Sequence, residues 1–251
     1  MQNKKIGTLS RQDISAIYED YEKHQHDGDV IEKYGTILVL DVLGWKNKAS
    51  PKTIKMFMDL VNSLRSKIND TVLRNCDRLT DSNIDVIVLS DTVAICINHS
   101  SPYNELNIFN EISNFLIEAL KKDIAFRGAM SRGKYYTNSL NNVFVGDAFY
   151  EAVKYCEKTE WSGVILTSSL AKALLRNNTI EQLRELNIVS YENVPYKEDH
   201  CWGNLVLVPV TLFNNIPYES MINLYKVVLK DVPCKLANTL KFLEYTKSFY
   251  G

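Results

Sequence analysis

Residues Ile37 to Trp45 read ILVLDVLGW. Apolar residues run straight into Asp41, and more apolar residues follow it. Thr36 to Leu43 is long enough for a strand buried on both faces. An ionised carboxylate in such a frame costs several kcal/mol unless it is paired or holds a metal. Fifty positions later the pattern returns as VIVLSDTVAICI, Val86 to Ile97, with Asp91 in its middle. This stretch reads as two short strands with Ser90-Asp91 at the turn between them. Alone, Asp41 could cap the turn after its strand, and Asp91 is an ordinary hairpin residue. Together they suggest more. In a β-α-ββ unit the first strand lies beside the hairpin, so the two carboxylates can face each other. They then repel unless a divalent cation lies between them. Magnesium suits one or two carboxylates plus substrate phosphates.

Working outward, Ser50-Pro51 opens a helix, with Ser50 as cap and Pro51 in the first helical position. Ile54, Phe57, Met58, Val61, Leu64 and Ile68 keep helical spacing along it. Tyr103 to Lys121 is a second amphipathic helix. AFRGAMSRGKYY, Ala125 to Tyr136, is a strand with glycines inside it. Val143–Val145 is a short strand that leads into a helix from about Asp147. GVILTSSLAKALL is strand then helix, with Ser168 or Ser169 as the expected cap. LVLVPVTLF reads as one strand, and two terminal helices follow. Ser10 to His26 is a weak amphipathic helix. The order β, α, ββ, α, β, β, α, β, α predicts an α/β (α+β) sandwich. We divide the chain into an N-terminal helical segment (1–33), a catalytic domain (34–195) and a C-terminal strand and helical extension (196–251). The extension is either an appendage or a dimer-building arm.

The 251 residues are 45% hydrophobic, with a formal net charge of −1. That balance gives no field to draw nucleic acid or an anionic membrane. No apolar run approaches the roughly 20 residues needed to span a bilayer. The first residues lack the apolar core of a secretory signal. Five scattered cysteines without a CxxC read as reduced thiols, so a cytoplasmic setting is expected. His24 and His26 stand at an HxH spacing in a polar helix end, without acidic or thiol partners. Cys156 and Trp161 read as packing residues, Trp161 in the core or at an interface.

Four blocks carry a resemblance. LDVLGWKNKA resembles the first metal motif of the class III nucleotide cyclases, and VLSDTVAI resembles their second metal hairpin, where glycine-aspartate is usual. RGAMSRG, Arg127 to Gly133, resembles the strand that follows. VGDAFYEAVKYCE resembles their helix bearing an asparagine and, four residues on, an arginine. The four keep family order and spacing over residues 34–175. The resemblance implies a ferredoxin-like cyclase homology domain with a mixed or antiparallel sheet flanked by helices. It also implies a head-to-tail homodimer and two Mg²⁺ or Mn²⁺ ions per site. Asp41 and Asp91 would hold the metals with the carbonyl of Val42. Backbone N–H groups of Leu43, Gly44, Trp45 and Lys46 would cradle phosphates. Lys46 and Arg132 are further candidates for phosphate contact.

The departures from the family pattern refine this. The two purine-reading positions hold Ile87 and Val143. Tyr150 replaces the ribose-orienting asparagine. Lys154 replaces the transition-state arginine, keeping charge but losing the bidentate fork. Such a site resembles the pyrimidine cyclases of the Pycsar antiphage systems, which make cyclic UMP or cyclic CMP from UTP or CTP. A separate effector protein would sense the product. Other readings are a catalytically silent nucleotide-binding or scaffold domain, an adenylate or guanylate cyclase, and a palm-type polymerase or diguanylate cyclase. The diguanylate cyclase loop is absent from the sequence.

Overall fold

The computed structural model describes residues 31–45, 49–73, 84–98, 105–138, 143–197, 204–208 and 217–250. The expected N-terminal helix, His24, His26, Lys46, Cys76 and Cys201 lie outside these. Six elements form the centre: β1 (Ile31–Val42), α1 (Pro51–Leu73), β2 (Ile84–Leu89), β3 (Thr92–Asn98), α2 (Glu105–Leu120) and β4 (Phe126–Asn138). Their strands lie in the order β2-β3-β1-β4, and every neighbouring pair is antiparallel. Two split β-α-β units thus interlock, which is the ferredoxin-like arrangement.

Alternation along β1 explains the layers. Leu38, Leu40 and Val42 share a core cluster with Phe57, Leu60, Val61 and Leu64 of α1 and with Phe109, Ile112 and Phe115 of α2. Ile37 and Val39 belong to a second cluster on the other face. Each fully buried apolar side chain contributes about 1.5–3 kcal/mol. Ser50 caps α1 as expected, its Oγ accepting from the N–H of Thr53 at 3.2 Å. Ile54 and Met58, expected in the buried stripe of α1, are exposed instead. They lie outside the arc that faces the sheet.

The second half extends the same sheet. β5 (Val143–Val145) pairs with the end of β4, and α3 (Asp147–Lys158) packs across β4 and β1. β6 (Val164–Leu166) runs parallel to β4, making the sheet mixed. α4 (Ser168–Leu175), α5 (Ile180–Glu185) and β7 (Ile188–Ser190) follow. β8 (Leu205–Leu207) enters between β6 and β7, antiparallel to both. The segment from 196 onward therefore contributes a strand to this sheet. Its helices, α6 (Tyr218–Val228) and α7 (Pro233–Tyr250), complete the described chain.

Several local expectations need correction. Thr167, not Ser168 or Ser169, is the N-cap of α4, and its side chain makes no cap hydrogen bond. Ser169 is taken up instead by Glu151 of α3. α5 and β7 were not expected. Trp161 is fully buried, stacked on Tyr191 and edge-on to Phe242 of α7. No described helix is long and apolar enough to cross a membrane.

Candidate active site

Asp41 is the penultimate residue of β1. On one side it lies opposite Thr92, and on the other opposite Arg127. The N–H of the next residue, Val42, donates to the carbonyl of Asp91 at 3.0 Å. The hairpin tip therefore abuts the end of β1, and the two aspartates belong to one corner of the sheet. Ser90 makes the reversal possible by taking φ 59°. Both aspartates are partly exposed. Among the described residues the Asp91 carboxylate makes no hydrogen bond or ion pair.

Asp41 does have a partner. Arg127 Nε donates to Asp41 Oδ2 at 2.7 Å, and Nη2 lies 2.7 Å from the same oxygen. The pair is 14% and 21% exposed for Arg127 and Asp41 respectively, so it is shielded but not sealed. Nη1 of Arg127 reaches the carbonyls of Thr159 and Glu157 at 3.3 and 3.4 Å. Arg127 opens the RGAMSRG block, but nothing in its local sequence marks it as a partner of Asp41. Only the β1–β4 register reveals the contact, because 86 positions separate the two residues.

The remaining candidates divide. Leu43 is buried in a cluster with Met221, Tyr225 and Leu243 of the C-terminal helices. Its N–H donates to the carbonyl of Ala125 at 2.9 Å, so that group is not free to cradle a phosphate. Gly44 turns the chain at φ 72°, and a Cβ there would meet nothing within 4 Å. The turn thus borders open space. Trp45 packs on α1, its ring 5.2 Å from that of Phe57. Arg132 lies opposite Thr36, five residues along β1 from Asp41, roughly 17 Å at strand spacing. Its guanidinium lies over the Tyr34 ring, 5.8 Å from the centroid. Within one chain Arg132 is therefore not part of the Asp41 corner.

Tyr150 and Lys154 lie one turn apart on α3, away from its buried face of Ala148, Ala152, Tyr155 and Cys156. The Lys154 ammonium is 6.0 Å from the Tyr150 ring centroid, a cation–π contact. Tyr150 is two-thirds exposed. The C-terminal turn of α3 approaches Asp41, where Cys156 and Glu157 contact Arg127.

Among the described residues no group of three or more His, Cys, Asp or Glu side chains could hold a metal ion. A closed cage of protein ligands is thus not offered there. Two partly exposed aspartates at one corner of the sheet suit a hard cation that keeps positions open for substrate oxygens. Among the described residues nothing occupies Asp41 Oδ1 or the Asp91 carboxylate.

No family model matches the sequence, and no curated protein is similar to it. Solved structures overlap with the fold. The adenylyl cyclase CyaB from P. aeruginosa does so at a TM-score of 0.45 and 10% identity, covering 72% of this chain and 95% of its own. The catalytic core of a rhodopsin-guanylyl cyclase with converted specificity gives 0.43 and 11%, covering 71% and 96%. A bacterial light-regulated adenylyl cyclase gives 0.43 and 12%, covering 79% and 100%. Overlap at this level leaves the activity to be read from the residues themselves.

Proposed function

We propose that the protein is a nucleotide cyclase that converts UTP or CTP to the 3′,5′-cyclic monophosphate and pyrophosphate. The observation that supports this is the corner where Val42 meets Asp91, which brings the backbones of the two aspartates together at a sheet end. Asp41, Asp91 and the Val42 carbonyl would hold Mg²⁺ or Mn²⁺, which would acidify the ribose 3′-hydroxyl and neutralise phosphate charge. In the reaction the 3′-oxygen attacks the α-phosphorus in line. The bond to the bridging oxygen of the β-phosphate breaks, and the hydroxyl proton passes to solvent. Arg127 supplies a fixed cation beside Asp41, suited to phosphate oxygens.

Tyr150 and Lys154, on the exposed side of α3, would serve the site of a second copy in a homodimer. Tyr150 would orient the ribose or stack on the small base. Lys154 would offset charge that develops at the α-phosphate. Ile87 and Val143 offer no polar contact to a purine, which favours a pyrimidine. The product would act as a second messenger in antiphage defence, read by a separate effector. The Asp41–Arg127 pair also fits a second reading, a silent domain that keeps Asp41 for its ion pair. Incubation with each of the four NTPs and Mn²⁺ or Mg²⁺, followed by mass spectrometry, separates the two. Cyclic UMP or cyclic CMP is expected. Turnover of ATP alone would refute the base assignment, and no pyrophosphate from any NTP would leave the silent reading.

A further inference from the structure

A cleft of about 390 Å³ lies between the end of β7 and α7, lined by Tyr191, Asn193, Asn238, Lys241 and Tyr245. Small-molecule sites commonly measure about 300–1,000 Å³. β7 stands four strands from β1 in the sheet, roughly 19 Å at strand spacing, so the cleft is apart from the Asp41 corner. Tyr191 is the most buried of the five residues, at 4% exposed. Its ring is enclosed by Trp161, Phe242 and Tyr245, at 5.8, 5.1 and 4.9 Å between centroids. The hydroxyl is therefore the polar group that it presents to the cleft. Among the described residues that hydroxyl makes no hydrogen bond. Burial first, and Tyr245 second, raise its pKa above the ordinary tyrosine value, so at neutral pH it is a protonated donor. Such a donor in an enclosed place gains a partner when a polar ligand enters.

The other wall is one face of α7. Asn238, Lys241 and Tyr245 stand three and four residues apart and share that face. Tyr245 donates its hydroxyl to the carbonyl of Ser190 at 2.6 Å, which fixes its ring beside the cleft. Asn238 Nδ2 donates to the carbonyl of Glu160 at 2.8 Å, which leaves its Oδ1 as an acceptor. Asn193 is exposed and brings a second amide, with both donor and acceptor. Lys241 is the one charged residue among the described lining, and it has no ion-pair partner among the described residues.

We propose that this cleft binds a flat aromatic ring carrying an acidic group, either a mononucleotide or an aromatic carboxylate. The ring packs against Tyr245. Its polar edge meets the Tyr191 hydroxyl and the two amides, and the acidic group pairs with Lys241. The site goes beyond the cyclase reading and does not depend on it. The test is calorimetric titration of the full chain in EDTA buffer with UMP, AMP and 4-hydroxybenzoate in turn. At least one is expected to bind with a Kd below about 1 mM. Tyr191→Phe keeps the ring and removes the hydroxyl, and should weaken binding about three- to tenfold. Lys241→Gln, at an exposed position, should weaken it about threefold. Asp91→Asn, at the other corner, should leave it unchanged. Binding of a nucleotide without 4-hydroxybenzoate assigns a phosphate ligand, and the reverse assigns a carboxylate. The proposal is overturned if no probe binds below that limit. It is overturned equally by binding that Tyr191→Phe and Lys241→Gln leave unchanged, or that Asp91→Asn abolishes.

Discussion

Ser90 takes φ 59°, and Asp91 beside it is thereby folded back so that its carbonyl meets the N–H of Val42 at 3.0 Å. A left-handed conformation costs an L-residue about 1–2 kcal/mol, whereas glycine adopts it freely. Glycine gives some of that back through the greater freedom of its unfolded chain. Ser90→Gly should therefore stabilise the fold by up to about 1 kcal/mol. A rise in the urea midpoint at constant slope would show it; a fall would mean that the serine side chain contributes more than the turn conformation costs.

The two aspartates should separate by their partners. Asp91 has none among the described residues, so Asp91→Asn should change stability by no more than about 0.5 kcal/mol. It should still reduce pyrophosphate release at least about 100-fold, as loss of a metal ligand requires. Asp41→Asn leaves the shielded Arg127 guanidinium without a counter-charge and should cost about 1–3 kcal/mol. A double-mutant cycle of Asp41→Ala with Arg127→Ala should give a coupling of about 1 kcal/mol. Additive losses would show that the contact contributes no coupling energy.

The thiols should differ in reactivity. Burial pushes Cys96 and Cys156 up to about 12, while Cys234 is exposed. Of these three, a maleimide at neutral pH should modify Cys234 first, and Cys96 and Cys156 only after unfolding. Cys234→Ser should remove one rapidly labelled site. The same shift sets a pH dependence. In the unfolded chain these thiols ionise near their ordinary value of 9.0, but in the folded chain only near 12. Their contribution to stability is complete below about pH 9 and declines as pH rises toward about 12. Urea titrations at pH 8 and pH 10 should show the loss, and Cys96→Ala should reduce it.

Gly35 in β1 leaves no room for a side chain. A Cβ there would lie 2.0 Å from the backbone carbonyl oxygen of Ile97, which cannot move without breaking the β1–β3 ladder. Gly35→Ala should destabilise by about 3 kcal/mol, at the upper end for overpacking. Thermal unfolding measures it, and a shift of a degree or less would contradict the close approach.

The central fold was legible because the apolar pattern changes period where the structure does. Leu38, Leu40 and Val42 alternate with Ile37 and Val39, and the α1 residues Phe57, Val61, Leu64 and Ile68 follow at helical spacing. The Asp41–Asp91 corner was legible because a charge inside each apolar run demands a reason. Arg127 was not, since its contact depends on strand register and not on local composition. α5 and β7 could have been found. Thr179-Ile-Glu-Gln182 is a capping box, with the Thr179 side chain and Gln182 bonded reciprocally. The exposure of Ile54 and Met58 was not predictable from spacing alone, because the width of the buried arc is set by what packs against it.

β8 has a consequence for how the chain is made. β6 and β7 do not pair with each other; β6 has β4 on one side only, and among the described residues its second neighbour and the one neighbour of β7 are residues 205–207. While a ribosome is still synthesising the first two hundred residues, both strands carry an open hydrogen-bonding edge. The corner bearing Asp41 and Asp91 can assemble early from β1 to β4, but the opposite flank has to wait. The nascent chain is most prone to sticking to its neighbours in that interval, and a stop codon just before Leu205 should yield insoluble protein even though both aspartates have been translated.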